Sequence, residues 1–269
     1  MEFVKMHGAG NDFIMINDMD ESLDLSAELV SVLCARHFGI GADGIVILRP
    51  SSISDFTMIY YNSDGSRAGM CGNGARCAVR FAVNEGLTTG TISFQSDSGA
   101  MMGRVRDDRI EISVGEVRGL SLNMEIEGER VSYAVAGVPH AAIFEEGSVS
   151  SLHTNFVEVA RKIRYSERFK PEGTNVNLVY DAGSSSLSYR TYERGVETET
   201  MACGTGALAI SVIAGHLGIT GELVECRTVG GDVLEVSYRK EAYGASNCFL
   251  TGPAVEIFRG SVDISEFIK

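Results

Sequence analysis

Two of the six cysteines in this chain stand in the same local setting: Cys71 in Met-Cys-Gly-Asn-Gly-Ala and Cys203 in Ala-Cys-Gly-Thr-Gly-Ala. After each, small and apolar residues recur at helical spacing, Ala75, Ala78, Val79, Ala82 and Val83 in one place and Ala207, Ile210, Ser211 and Ala214 in the other. Gly86 and Gly218 supply the stops. Each thiol is therefore predicted at a helix N-terminus, where unpaired N–H groups and the positive end of the helix dipole favour thiolate over thiol. The same N–H groups, in glycine-containing turns, can hold a carboxylate closely. Removing the α-proton of an amino acid without an electron-sink cofactor needs that combination, because the carbanion survives only if the neighbouring carboxylate is neutralised and water excluded. Inverting the centre also needs an acid on the opposite face, and a second thiol supplies it.

The two settings are copies of one another. Cys203 follows Cys71 by 132 residues (203 − 71), and Gly99 and Gly231 each lie 28 residues beyond their cysteine, before an alternating, strand-like segment. A duplicated half-protein gives one thiol per half. A free cysteine is ordinarily a small buried hydrophobe, but two at equivalent positions in Gly-rich helix starts point to chemistry. The other four lack counterparts: Cys34 on the apolar face of a helix, Cys77 inside one, Cys226 and Cys248 in strand-like runs.

These residues must be positioned by a mixed α and β frame with one central helix per half. Strands are predicted over Ile45–Leu48, Phe56–Tyr61, Ile110–Val114 and Val233–Tyr238, and a further helix from an N-cap at Ser26 to His37, stopped by Gly39. The repeat boundary is expected near Gly115–Gly119, with the last residues returning to the first half. Gly39, Gly41 and Gly44 spell a dinucleotide-type glycine pattern, but it follows a helix and precedes a strand, the reverse of the required order, and is rejected.

A chain of 269 residues, 44% hydrophobic and 22% charged, can bury a substantial core. No apolar run approaches the ~20 residues of a membrane span, and the N-terminus lacks a secretory apolar stretch, so a cytoplasmic protein is expected. There the thiols stay reduced, and no Cys-x-x-Cys pair suggests structural zinc. A formal charge of −13 without any basic block argues against nucleic acid and anionic membranes as partners.

With MHGAGNDF, RHFGIGADG, YNSDGSRAGMCGNGARC, GTNVNLV and YERGVETETMACGTGA, the chain resembles the diaminopimelate epimerases along essentially its whole length. The resemblance implies an α+β fold of two similarly folded, pseudo-symmetric domains, each a curved, mostly antiparallel sheet wrapped around a central helix. Residues 1–116 with 257–269 would form the half carrying Cys71, and 117–256 the half carrying Cys203. It further implies domain closure over an amino-acid substrate, no metal or organic cofactor, a homodimer, and interconversion of LL- and meso-2,6-diaminopimelate. By motif, Cys71 and Cys203 match the catalytic thiols, and Gly72, Asn73, Gly204 and Thr205 the turns that hold the reacting carboxylate. Asn11, Asn62, Asn175, Glu193 and Arg194 match substrate-holding residues, and His140 a histidine near the reacting centre. A guanidinium suits a distal carboxylate and Glu193 an ammonium.

The chain departs from the family pattern twice: it reads Gly-Val-Pro-His where Gly-Asn-Pro-His is common, placing Val138 for an asparagine, and its stretch from Glu193 to Cys203 is one residue longer. Both lie where the distal end of the substrate is expected. Alternatives are another two-thiol racemase, acting on glutamate or a proline-type substrate; a thiol redox protein cycling through a disulfide; and a binding protein that keeps the fold without the chemistry.

Overall fold

The structure, a computed structural model, describes residues 1–145 and 151–267. The chain forms two compact units, Met1–Ile112 with Gly252–Lys269, and Ser113–Thr251. In the first, the strands are β1 (Glu2–Gly8), β2 (Asn11–Asn17), β3 (Gly44–Arg49), β4 (Phe56–Asn62), β5 (Arg67–Ala68), β6 (Thr91–Ser96), β7 (Gly99–Arg106) and β8 (Arg109–Ser113). Helix α1 (Ala27–Cys34) lies between β2 and β3, and α2 (Gly72–Asn84) between β5 and β6. The second unit contains β9 (Val117–Ile126), β10 (Glu129–Ala136), β11 (Val138–Phe144), β12 (Asn175–Ala182), β13 (Ser186–Glu193), β14 (Thr198–Thr200), β15 (Leu223–Arg227), β16 (Val233–Glu241) and β17 (Gly244–Gly252). Its helices are α3 (Ser151–Arg164), before β12, and α4 (Gly204–Leu217), before β15; β18 (Val255–Ser261) returns to the first unit.

The order of strands along the ladder is the same in both. In the first unit the ladder runs β18, β1, β2, β3, β4, β6, β7, β8, with β5 beside β4. In the second it runs β9, β10, β11, β12, β13, β15, β16, β17, with β14 beside β13, and Ala245 pairs with Val117 to close the ladder around α4. Most pairs are antiparallel. The parallel pairs are β2/β3 and β4/β6, and correspondingly β11/β12 and β13/β15. Each is bridged by a helix, as a parallel crossover requires. The α+β fold with one sheet-wrapped helix per unit is what the sequence led us to expect.

Small residues let α2 and α4 sit inside their sheets. A Cβ on Gly103 would approach Val79 Cγ2 to 2.5 Å, and one on Gly206 would approach Asn177 Oδ1 to 2.6 Å. From Gly206 to Gly215, α4 is buried without a break. Strand β2 is buried on both faces, Phe13 toward Gly74 of α2 and Ile14 and Ile16 into a core beneath α1. Phe156, Ala160 and Ile163 of α3 fill the matching core of the second unit.

Ser26 caps α1 as expected, accepting from Leu29 N at 3.2 Å. The helix does not reach His37: it ends at Cys34, and Ala35 is extended. The reason lies at Gly39, where an added Cβ would meet Val32 O at 2.2 Å. The chain folds tightly back over the last turn, with Gly41 and Ala42 donating to Leu33 O and Cys34 O, and so satisfies carbonyls that a longer helix would have bonded itself.

Candidate active site

Cys71 and Cys203 are both N-cap residues with extended backbone, φ −132° and −127°, and their carbonyls accept the first helical bonds from Ala75 and Ala207. The matching extends beyond the helices. Gly10 and Gly137 have φ of 81° and 72°, and Gly99 and Gly231 of 112° and 89°, so glycine serves the same left-handed turns in both units. Phe13 pairs with Gly44 and His140 with Asn175 at the starts of corresponding parallel pairs. Counting back two residues from each makes Val138 the counterpart of Asn11.

In the first unit, Cys71 Sγ lies 3.4 Å from Asn11 Oδ1, which also accepts from Asn73 Nδ2 at 3.2 Å. Asn73 is buried, and its own oxygen accepts from the fully buried Arg76 at 2.7 Å. The guanidinium is further satisfied by the Gly72 and Pro253 carbonyls, at 3.4 and 3.2 Å. Asn62 ends β4 opposite Gly44, at the same end of the strands as Asn11. Its amide is engaged at both ends, accepting from Tyr60 Oη at 2.8 Å and donating to Ser66 Oγ at 3.0 Å.

In the second unit a backbone N–H and a hydroxyl lie at the sulfur. Gly206 N donates to Cys203 Sγ at 3.4 Å, and the Thr205 hydroxyl is 3.5 Å away. His140 does not touch the cysteine but reaches it through Thr205, with Nε2 3.0 Å from Oγ1. The tautomer follows from the surroundings. Thr191 donates to Asn177 Oδ1 at 2.8 Å, so the nitrogen of that amide faces His140 Nδ1, at 3.2 Å, and also donates to Ala141 O at 2.9 Å. Nδ1 therefore accepts, and Nε2–H donates to Thr205. Burial, then the charge of Arg194, pushes His140 down to about 3, so the ring is neutral. With its oxygen occupied as acceptor, Thr205 has its own proton for Cys203.

Asn175 uses its amide on backbone, donating to Pro139 O at 3.2 Å and accepting from Arg194 N at 2.8 Å. It thereby fixes the turn that presents Glu193 and Arg194. Burial raises the Glu193 carboxyl, and Arg194 Nη1 donates to Glu172 O at 3.4 Å. The stretch after Glu193 is a hairpin: Glu197 is held by Arg164, Tyr165 and Gly195 N, and β14 pairs back on β13. Arg190 clamps Glu199 through two bonds of 2.7 Å.

Asp43, Arg76, Asn177 and Thr191 were not singled out from sequence, although Asp43, Arg76 and Asn177 lie inside three of the motifs that carry the family resemblance. The signal for Asn177 was its period-two spacing from Asn175 in an otherwise apolar strand. Among the described residues no group of His, Cys, Asp or Glu is arranged to hold a metal, and no helix is long and apolar enough to cross a membrane.

A family model described as diaminopimelate epimerase matches residues 3–119 and 132–256. The diaminopimelate epimerase of Archaeoglobus fulgidus is 38% identical, with 98% of this chain and 97% of the relative covered. That of Methanothrix thermoacetophila is 40% identical, with 97% and 96% covered. Among solved structures, a phenazine biosynthesis protein of the PhzF family from Bacillus anthracis superposes with a TM-score of 0.71 at 11% identity, covering 98% of this chain and 99% of that one. A hydroxyproline epimerase from Agrobacterium vitis gives 0.68 at 16% identity, with 97% and 91% covered. At such identities these two show a shared fold.

Proposed function

This chain belongs to the diaminopimelate epimerase family, and from that premise we propose that it interconverts LL- and meso-2,6-diaminopimelate, with Cys71 and Cys203 as the two proton carriers. One thiolate takes the α-proton, and the other thiol delivers a different proton to the opposite face, so protons balance and each turnover exchanges the roles of the two sulfurs. The N–H groups at Gly72 and Asn73, and at Gly204 and Thr205, are the donors for the reacting carboxylate. Asn11, Asn62, Asn175, Glu193 and Arg194 are assigned to holding the substrate, Arg194 to its distal carboxylate and Glu193 to its distal ammonium.

The observation that carries this reading is the pair of N-cap cysteines, one per unit, in matching strand and helix frames. A family-typical setting is proposed with it: the reducing cytoplasm, which suits a pair of working thiols, and a homodimer, which rests on the family resemblance. The hydroxyproline epimerase that shares the fold favours one second reading, a racemase for another amino acid. The test is solvent deuterium incorporation at the α-carbon of meso-diaminopimelate, run beside alanine, glutamate and proline. Label in diaminopimelate supports the proposal; label only in another amino acid replaces it with the second reading, and none in any overturns both.

A further inference from the structure

The segment that carries the rejected glycine pattern delivers Asp43 to the amide of Asn11. Asn11 Nδ2 donates to Asp43 Oδ2 at 2.8 Å, and Asp12 N donates to the same oxygen at 3.3 Å. The other carboxylate oxygen accepts from Arg36 Nη2 at 2.7 Å. Arg36 also binds Asp12 through bonds of 2.7 and 3.1 Å, and Asp12 pairs with Lys5 at 2.8 Å. The backbone of Asp43 is pinned as well, its N–H donating to Asp12 O and its carbonyl accepting from Ser63 N, both at 3.0 Å.

A carboxylate facing a guanidinium only accepts, so it takes the amide nitrogen of Asn11 and leaves the oxygen pointing away from itself. That oxygen is the atom 3.4 Å from Cys71 Sγ. Asn73 cannot reverse the arrangement, because its own oxygen is held by Arg76 and its nitrogen is the part turned to Asn11. A fixed carbonyl oxygen in front of sulfur suits S–H as donor and opposes the negative charge of a thiolate. The charged groups joined through this network to Asn11, beside Cys71, are Arg76 on α2, Asp43 and Arg36 on the connection between α1 and β3, and Asp12 and Lys5 on the β1/β2 hairpin; Cys77, six residues further along the chain in α2, is the neighbouring thiol. In the other unit Gly206 N donates to the sulfur, and the Thr205 hydroxyl, whose oxygen accepts from His140, lies 3.5 Å from it with its own proton to give.

We propose that Asp43 is a positioning residue: by holding the Asn11 amide oxygen toward Cys71 it keeps that cysteine as the thiol in the resting protein, while the donors at Cys203 hold the thiolate. The two proton carriers assigned under the proposed function, on which this inference rests, thus begin unequal, with Cys71 as acid and Cys203 as base.

The experiment is the pH dependence of alkylation by iodoacetamide, read cysteine by cysteine through peptide mass mapping on the full chain. In the unaltered protein the midpoint for Cys71 should lie above that for Cys203; the reverse order overturns the proposal. Asp43→Asn allows the residue at 43 to donate and the Asn11 amide to turn, and Asp43→Ala releases it. Either should lower the Cys71 midpoint by about one pH unit, a tenfold gain in thiolate at a fixed pH below the midpoints, and leave Cys203 where it was. Asn11→Ala should shift Cys71 in the same direction. Unmoved Cys71 midpoints in Asp43 variants that melt as the parent does, whether or not Asn11→Ala moves them, overturn the role of Asp43. Should both Asp43 variants fail to fold, the order of the two midpoints in the unaltered protein decides. Alkylation needs no turnover, so a protein that passes this test yet leaves the diaminopimelate α-carbon unlabelled rejects the epimerase reading and not the placement of Asp43.

Discussion

His140 Nε2 lies 3.0 Å from Thr205 Oγ1, and the same oxygen lies 3.5 Å from Cys203 Sγ. A buried neutral imidazole therefore orients a hydroxyl toward the sulfur without meeting it. Donation by Nε2–H leaves Thr205 one proton, and the sulfur is where that proton can go. Protonating His140 would add a buried charge, which ties this arrangement to pH.

Folded His140 binds a proton only near about pH 3, whereas the unfolded chain binds one near 6.5. Between these values the unfolded state holds more protons, so stability is present above about pH 6.5 and lost as pH falls toward 3. The slope approaches about 1.4 kcal/mol per pH unit, or about 2 kcal/mol by about pH 5. Urea unfolding at a series of pH values should show that loss in the parent and a flatter dependence in His140→Gln. Parallel curves would mean that His140 takes up its proton with little penalty.

Thr205→Val removes the hydroxyl between His140 and Cys203. A hydrogen bond to a charged group contributes ~1.5–3 kcal/mol, so kcat/KM for diaminopimelate should fall by roughly ten- to a hundredfold. Thr205→Ser should keep most of the rate. Equal losses in the two variants would shift the cause from the hydroxyl to the methyl packing.

Arg194 is held by its backbone N–H to Asn175 Oδ1, a contact that survives side-chain truncation. Arg194→Ala therefore tests the guanidinium rather than the turn. Losing one partner of a buried charged contact costs ~2–5 kcal/mol, so kcat/KM should drop at least tenfold. An unchanged value removes Arg194 from the distal site.

Cys71→Ala and Cys203→Ala should each abolish epimerisation, because each removes one of the two proposed proton carriers. In deuterium oxide, the parent at early times should carry label in the product epimer and scarcely any in recovered substrate, since a removed proton can return only to its original face. Near-normal epimerisation by either variant would end the two-thiol reading.

What the sequence determined by itself was local or repeated. A cysteine before Gly-x-Gly-Ala and an apolar helical stretch specifies an N-cap within a few residues, and the copy 132 residues later specifies a second unit. The capping Ser26 and the stop glycines Gly86 and Gly218 were legible for the same reason: their φ values or caps depend on neighbours in the chain. The end of α1 was not, because Gly39 stops it by folding back over the last turn, a contact no helical periodicity encodes. Nor were the partners of the site residues. Asn11 meets Asp43 across 32 positions and Cys71 across 60, His140 meets Asn177 across 37 and Thr205 across 65. Sheet register and the seating of α2 and α4 decide those encounters. An asparagine or histidine presents the same letters whether it caps a turn, supports a strand or faces a sulfur. Only the tertiary structure fixes which atom of each amide and imidazole points where, because that orientation is imposed by hydrogen-bond partners far away in the chain.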